Sequence, residues 1–386
     1  MPDPLAWIDE ESEARARRGL GRRLVALGAS TPGRVERDGR WLVNFASNDY
    51  LGLAADPRVI AAAGSAAEVY GWGSGASPLV SGWRQPHEAL ASALARFEGT
   101  EAVALFPSGF AANLGAIVAV VGPGDAVYLD RLDHACLVDG ARLSGARLRV
   151  FPHNDADRLG AILDRDRGRF QRILIATEGV FSMDGDVAPL ADLADLAGRF
   201  GAMLLVDEAH GTGVLGPDGR GAAAASGVSD RVDIKVGTLS KALGSVGGFV
   251  AGSRRLIDRL INHARTLIYS TAIPAPAAAA AMEALAIASA EPWRRARVME
   301  LAATLRESLA GPGRPAVGPG GPIVPVVVGD PDRALALSRR LIDRGCLVAA
   351  IRPPTVPEGT ARLRIGLSAA HDRADLDRLI AALADP

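Results

Sequence analysis

The sequence predicts an α/β protein built on a largely parallel sheet, with a smaller α+β domain toward its C-terminal end. Three observations carry that prediction. From about Ala102 onward, short apolar runs recur without in–out alternation, the pattern of strands buried on both faces. Helical segments such as "PLADLADLAGRF" separate several of them. The glycine- and proline-rich stretch "GPGRPAVGPGGP", Gly311 to Pro322, then interrupts a region of two helices and a few strands. These elements divide the chain into an N-terminal helix and short strand (residues 1–50), a large domain (51–286) and the α+β domain (287–386).

Taken in order, the first element is an arginine-rich amphipathic helix from Asp9 to Leu27, ending near Gly28. "GRWLVNF" then reads as a short strand and "ASNDYLGL" as a turn. "GWGSGA", Gly71 to Ala76, has the spacing of a dinucleotide-binding fingerprint. It follows a helical run rather than a strand, so it reads as a glycine-rich substrate or interface loop. In the large domain "AVALF" is a strand that runs into Ser108-Gly109-Phe110, where "SGFAANLGAIVAVV" begins a helix. "DAVYL", "RLRVF", "RILIATEGV", "AMLLVDEAH" and "DIKVGTLS" supply further strands.

Composition narrows the function class. At 386 residues, with a formal net charge of -1, the chain lacks the basic excess of a nucleic-acid or membrane-surface protein. Cys136 and Cys346 stand alone, so neither a disulfide framework nor a metal site is expected. The first residues have no apolar leader core, no run approaches a membrane span, and the cytoplasm is the expected compartment.

Of 43 basic residues, all but Lys235 and Lys241 are arginine. Arginine serves wherever a permanent cation is enough, whereas an amine that must lose its proton and attack a carbonyl has to be lysine. Lys241 lies in a loop of small residues, "TLSKALGSVGG", and Lys235 in "DIKVG" reads as an edge residue reaching toward water. Asp207 follows five apolar residues, at the carboxyl end of a buried strand where open α/β sheets place ligands, or else it caps a helix. His134, His210, Glu178 and Ser182 also follow strand ends. The Ser108–Phe110 turn is either an anion site at a helix start or a simple capped turn. "DEAH" resembles the acidic box of a nucleotide hydrolase, but no phosphate loop of the G-x-x-x-x-G-K-[ST] type accompanies it.

In sequence order, "TEGVFSMDGD", "VDEAHGTGVLG" and "TLSKALG" resemble the α-oxoamine synthases, pyridoxal-phosphate enzymes of fold type I. The resemblance runs from "NFASNDYLGL" to "ARLRIGLSAAH". It implies a type I transferase fold, with Lys241 bonded to the cofactor aldehyde and acting as general base. It further implies that Gly109, Phe110 and Thr238 hold the phosphate, Asp207 pairs with the ring nitrogen, and His210 and Ser182 meet the ring oxygen. His134 would stack on the ring, completing a catalytic set with Lys241, Asp207 and His210. Arg352 would hold the amino-acid carboxylate, with Thr355, Asn48 and an N-terminal arginine, Arg22 or else Arg23, also touching substrate. "AIRPPTVPEGTARLR" and "GASPLVSG" are most similar to the biotin-pathway members of the family. Those condense L-alanine with a pimeloyl thioester carried by coenzyme A or acyl carrier protein; the alternative is a glycine C-acetyltransferase. The family also implies a homodimer in which Ser270 or Thr271 of "LIYSTAIP" reaches the partner's site.

Overall fold

The computed structural model describes residues 3–310 and 320–384. Seven strands form the central sheet: β4 (Ala102–Phe106), β5 (Ala126–Asp130), β6 (Arg147–Phe151), β7 (Ile173–Glu178), β8 (Met203–Asp207), β9 (Ile234–Thr238) and β10 (Gly248–Gly252). Their order is β4-β10-β9-β8-β7-β5-β6, with all pairs parallel except the two that β10 makes. Every residue of β4, β5, β9 and β10 is buried, which explains the unbroken apolar runs. This is the α/β core that the sequence predicts.

Two further sheets flank it. β1 (Ser30–Thr31), β2 (Arg34–Arg37) and β3 (Arg40–Asn44) form a small antiparallel sheet. β12 (Cys346–Leu347), from the other end of the chain, completes it in parallel, Cys346 opposite Val43. The third sheet pairs β14 (Ala361–Gly366) with β11 (Ile323–Gly329) and β13 (Ala349–Ile351).

The structure departs from the sequence reading in three places. The first helix, α1, spans Ala6–Arg17 and buries none of its residues, so it is not an amphipathic helix reaching Leu27. Gly19 takes a left-handed conformation (φ +65) that ends the helical region, and the chain beyond is irregular. β10 is not among the strands read from the sequence: "GFVAG" is short and bounded by glycines, the residues that mark loops. Those glycines allow close packing: a Cβ on Gly248 would lie 2.5 Å from the Gly109 nitrogen. Lys235 is not at an edge. It lies on β9 inside the sheet, its ammonium buried and donating to Glu98 O (3.0 Å) and Ser229 Oγ (2.6 Å). Of the loop expected at Gly311–Pro322, residues 311–319 lie outside the described residues.

Sheet register brings the site together. Glu178 lies opposite Asp207, and Gly248 lies opposite both Phe106 and Thr238. The carboxyl ends of β4, β7, β8 and β9 therefore open at one edge of the sheet, as ligand sites of open α/β sheets do.

Candidate active site

At that edge β4 leads through Pro107 and Ser108 into helix α4 (Gly109–Val120). Ser108 caps the helix, its hydroxyl accepting from the Ala111 amide (3.1 Å). The amides of Gly109 and Phe110 carry no hydrogen bond among the described residues. Thr238 packs against Gly109 from β9, its hydroxyl donating to Gly247 O (3.0 Å) and lying 2.7 Å from Ser240 Oγ. Free amides at the positive end of a helix dipole, with two hydroxyls beside them, form a cradle for a phosphate.

Deeper in, Asp207 is buried at the end of β8. Its Oδ2 accepts from Asn113 Nδ2 (2.7 Å) and its Oδ1 from the Ala209 amide (2.9 Å). Lys241 Nζ lies 2.8 Å from His210 Nε2, and His210 Nδ1 lies 2.6 Å from the Tyr50 hydroxyl. Tyr50 in turn donates to Asn48 Oδ1 (3.1 Å). With the tyrosine proton so placed, His210 Nδ1 donates to Tyr50 and Nε2 accepts from the lysine amine. Burial drives the His210 pKa well below its ordinary value, and the Lys241 and Arg364 cations push it the same way. Burial also lowers the Lys241 pKa, against the carboxylates Asp207 and Glu178, which raise it. The result is a neutral imidazole beside an amine whose proton is more easily lost than usual.

Arg364 enters from β14. Its Nε donates to Ser182 O (2.6 Å) and its Nη2 to Tyr50 OH (3.4 Å), and it is buried without a carboxylate partner among the described ion pairs. Glu178 accepts from the Ser182 amide through Oε2 (3.1 Å), while its Oε1 is buried without a partner. Burial and the neighbouring Asp207 carboxylate both raise the Glu178 pKa.

The residues expected from sequence fall into two groups. Lys241, Asp207, His210, Ser182, Thr238, Gly109 and Asn48 come together in or beside this inner site, as the contacts above describe. His134 caps helix α5 (Ala135–Ser144), exposed in a cleft, with its ring 6.4 Å from that of Phe110. The cleft, about 1090 Å³, is lined by His134, Ser182, Arg22 and Thr355 among others. Arg22 Nη2 donates to Thr355 Oγ1 (3.2 Å) and Pro353 O (3.4 Å). Arg352 is not brought into the inner site: its guanidinium bonds the carbonyls of Gly19 and, at 3.2 Å, Gly21. Ser270 and Thr271 line a separate small pocket with Phe106 and Pro107.

Sequence reasoning missed Tyr50, Asn113 and Arg364. Tyr50 and Asn113 sat in segments already read as a turn and a helix, and each acts through a partner more than ninety residues away. Arg364 alternates with apolar residues in "ARLRIGL", and that alternation was a usable signal: β14 is buried on both faces, so a charge there needs a purpose.

Beneath the site His153 bridges two carboxylates, Asp130 (2.9 Å) and Asp186 (2.9 Å). Burial opposes its charge, but hydrogen bonds to both acids outweigh this and push its pKa up to about 10. A pKa raised on folding stabilises fully below the unfolded value, ~6.5, and the stabilisation is lost as pH rises through the folded one. The melting-temperature gap between wild type and His153→Gln should therefore be widest at pH 6 and close by about pH 10. A gap independent of pH would refute the ion pairing.

An anion cradle, a deprotonatable amine and a buried carboxylate, converging on one sheet edge, fit a phosphorylated pyridine aldehyde. The unpartnered Glu178 Oε1 and the free Gly109 and Phe110 amides are groups such a molecule can use.

Comparisons with known proteins agree. The family model described as aminotransferase class I and II matches residues 40–383. An 8-amino-7-oxononanoate synthase of Anaeromyxobacter dehalogenans is 53% identical over 380 residues, 98% of this chain and 95% of that protein. One from Alkalilimnicola ehrlichii is 56% identical over 348 residues, 90% of this chain and 88% of its own length. Among solved structures, a Sphingomonas wittichii serine palmitoyltransferase superposes with a TM-score of 0.92 at 32% identity, over 99% of this chain and 97% of that one.

Proposed function

The chain belongs to the class I and II aminotransferase family, and on that premise we propose that it condenses L-alanine with a pimeloyl thioester. The products are carbon dioxide, the carrier thiol and 8-amino-7-oxononanoate, a step of biotin biosynthesis. The fold is that of type I pyridoxal-phosphate-dependent transferases, and the enzyme is a pyridoxal-phosphate-dependent acyltransferase. The observation that carries the reading is the Lys241 amine held against His210 beside buried Asp207.

When bound, pyridoxal phosphate supplies an electron sink for negative charge at the amino acid's α-carbon. The residues of this chain do the rest. Gly109, Phe110 and Thr238 would hold the phosphate. Asp207 would pair with the ring nitrogen, His134 would lie against the ring, and His210 with Ser182 would meet the ring oxygen. Lys241 would hold the cofactor aldehyde and serve as the base for the α-proton of alanine; its lowered pKa suits it to that task. For the substrate carboxylate we assign Arg364 rather than Arg352. Arg364 is the buried cation beside the His210–Tyr50 pair, while Arg352 is engaged with the backbone of residues 19 and 21. Arg22 and Thr355 border the path of the acyl substrate, which the wide cleft supports, and Asn48 meets the substrate at the inner site beside Tyr50.

The division into residues 1–50, 51–286 and 287–386, the cytoplasmic setting and a homodimer with Ser270 or Thr271 near the partner's cofactor belong to the same proposal. Among the described residues no helix is long and apolar enough to cross a membrane.

The test is carbon dioxide release from L-alanine with pimeloyl-CoA and with pimeloyl-acyl carrier protein, set against glycine with acetyl-CoA. A pocket shaped for one methyl group discriminates by about tenfold or more, so the alanine reaction should be faster by that margin. Faster turnover of glycine with acetyl-CoA would overturn the substrate assignment in favour of a glycine C-acetyltransferase.

A further inference from the structure

Asn113 is buried, 1% exposed, in the second turn of α4, and both hydrogens of its amide are engaged. One goes to Gly109 O (3.2 Å), at the base of the phosphate cradle; the other goes to Asp207 Oδ2 (2.7 Å). The orientation of the amide is forced, because both neighbours are acceptors and a flipped group would set oxygen against oxygen. Its own Oδ1 is left buried without a partner. Asparagine is a poor residue for a helix interior, and an apolar side chain would strand no amide oxygen of its own, at the cost of the donor to Asp207 Oδ2. The position thus gives up local stability, and the return must lie in what the amide holds.

We propose that Asn113 is a positioning residue that locks the ring-nitrogen partner Asp207 to the phosphate cradle. The cofactor is a rigid ring with a short phosphate arm, so the span between its two anchoring points is nearly fixed. One side chain bonded to both anchors sets that span before the cofactor arrives, and binding then costs little reorganisation. The Ala209 amide fixes the other oxygen of Asp207, so the carboxylate has no free rotation about its last bond. Glu178, opposite Asp207 across the strands, accepts from the Ser182 amide through one oxygen and leaves the other unpartnered. Of the two adjacent acids, the one clamped by two donors is the one held in a single direction. This inference rests on the cofactor reading above.

The test compares Asn113→Leu and Asn113→Asp with wild type, each prepared with and without pyridoxal phosphate. Asn113→Leu removes both donors without leaving a polar atom; Asn113→Asp keeps the shape and loses the donated hydrogens. Three quantities are read: the melting temperature without cofactor, the cofactor dissociation constant, and the pH midpoint at which the bound cofactor's visible band titrates. The cofactor-free melting temperature of Asn113→Leu should fall only modestly, because the loss of the donor to Asp207 is offset in part by removal of the stranded amide oxygen. Its cofactor dissociation constant should rise about tenfold and the band's midpoint should move by about one pH unit, the shift equivalent to a tenfold change. Asn113→Asp should show the same midpoint shift. A midpoint unmoved in both variants would overturn the role of Asn113, even if affinity fell, since a purely structural residue loosens binding without altering the ring's protonation. A wild type that takes up no pyridoxal phosphate would overturn the cofactor reading, and the inference with it.

Discussion

Lys241→Ala is expected to abolish the visible band of the lysine-bound cofactor and to lower kcat for carbon dioxide release by about four orders of magnitude or more, the upper range for a positioned general base. The size of the effect follows from the site. Lys241 is the only lysine at this edge of the sheet; Lys235, the other one, is bonded to Glu98 O and Ser229 Oγ on β9. Among the described residues, then, no second amine can take over. His210 is not a substitute, because burial and the Arg364 cation hold its pKa low even without Lys241, and it already serves Tyr50. An absorbance spectrum and a turnover assay on the purified variant decide the point. A variant that keeps the band, or retains a tenth of the activity, would remove Lys241 from the mechanism.

The second large effect concerns Arg364. Removing a buried cation that grips a carboxylate through two hydrogen bonds costs about 3–4 kcal/mol, or roughly 10²- to 10³-fold in KM. Arg364→Leu should raise the KM for L-alanine by that factor, with the KM for the acyl thioester changed little. Arg364→Lys should fall between, since an ammonium keeps the charge but loses the fork. The parallel substitution Arg352→Leu is the discriminating control. If it, and not Arg364→Leu, raises the alanine KM, the carboxylate belongs to Arg352, and the bonds that guanidinium makes to residues 19 and 21 must break on substrate binding.

What could be read in the sequence has a physical pattern. Strands β4, β5, β7, β8 and β9 were legible because burial on both faces leaves them largely apolar, and the signal is local. Lys241, Asp207 and His210 were legible because strand ends in an α/β sheet are the expected place for chemistry. β10 was hidden because its flanking glycines, which a close backbone approach requires, are the same residues that mark loops. α1 was overextended because its arginine-rich run continues past Gly19, and only the left-handed backbone there shows where the helix stops. Asn113 and Tyr50 were illegible for another reason. Each is an ordinary residue in its own segment and gains its meaning from a partner brought close only by folding.

The pairing of β3 with β12 bears on how the chain acquires its structure during synthesis. Val43 waits for Cys346, so about three hundred residues must leave the ribosome before that ladder can close. At roughly 5–20 residues per second, the edge of β3 turned away from β2 remains unpaired for some fifteen to sixty seconds after it emerges. Closing so long a loop adds little thermodynamic cost, since the entropy grows only with the logarithm of length, but contacts this distant in sequence form late. For that interval the nascent protein carries an open strand edge, and chaperone dependence and aggregation in rapid overexpression should trace to this N-terminal segment before the central sheet.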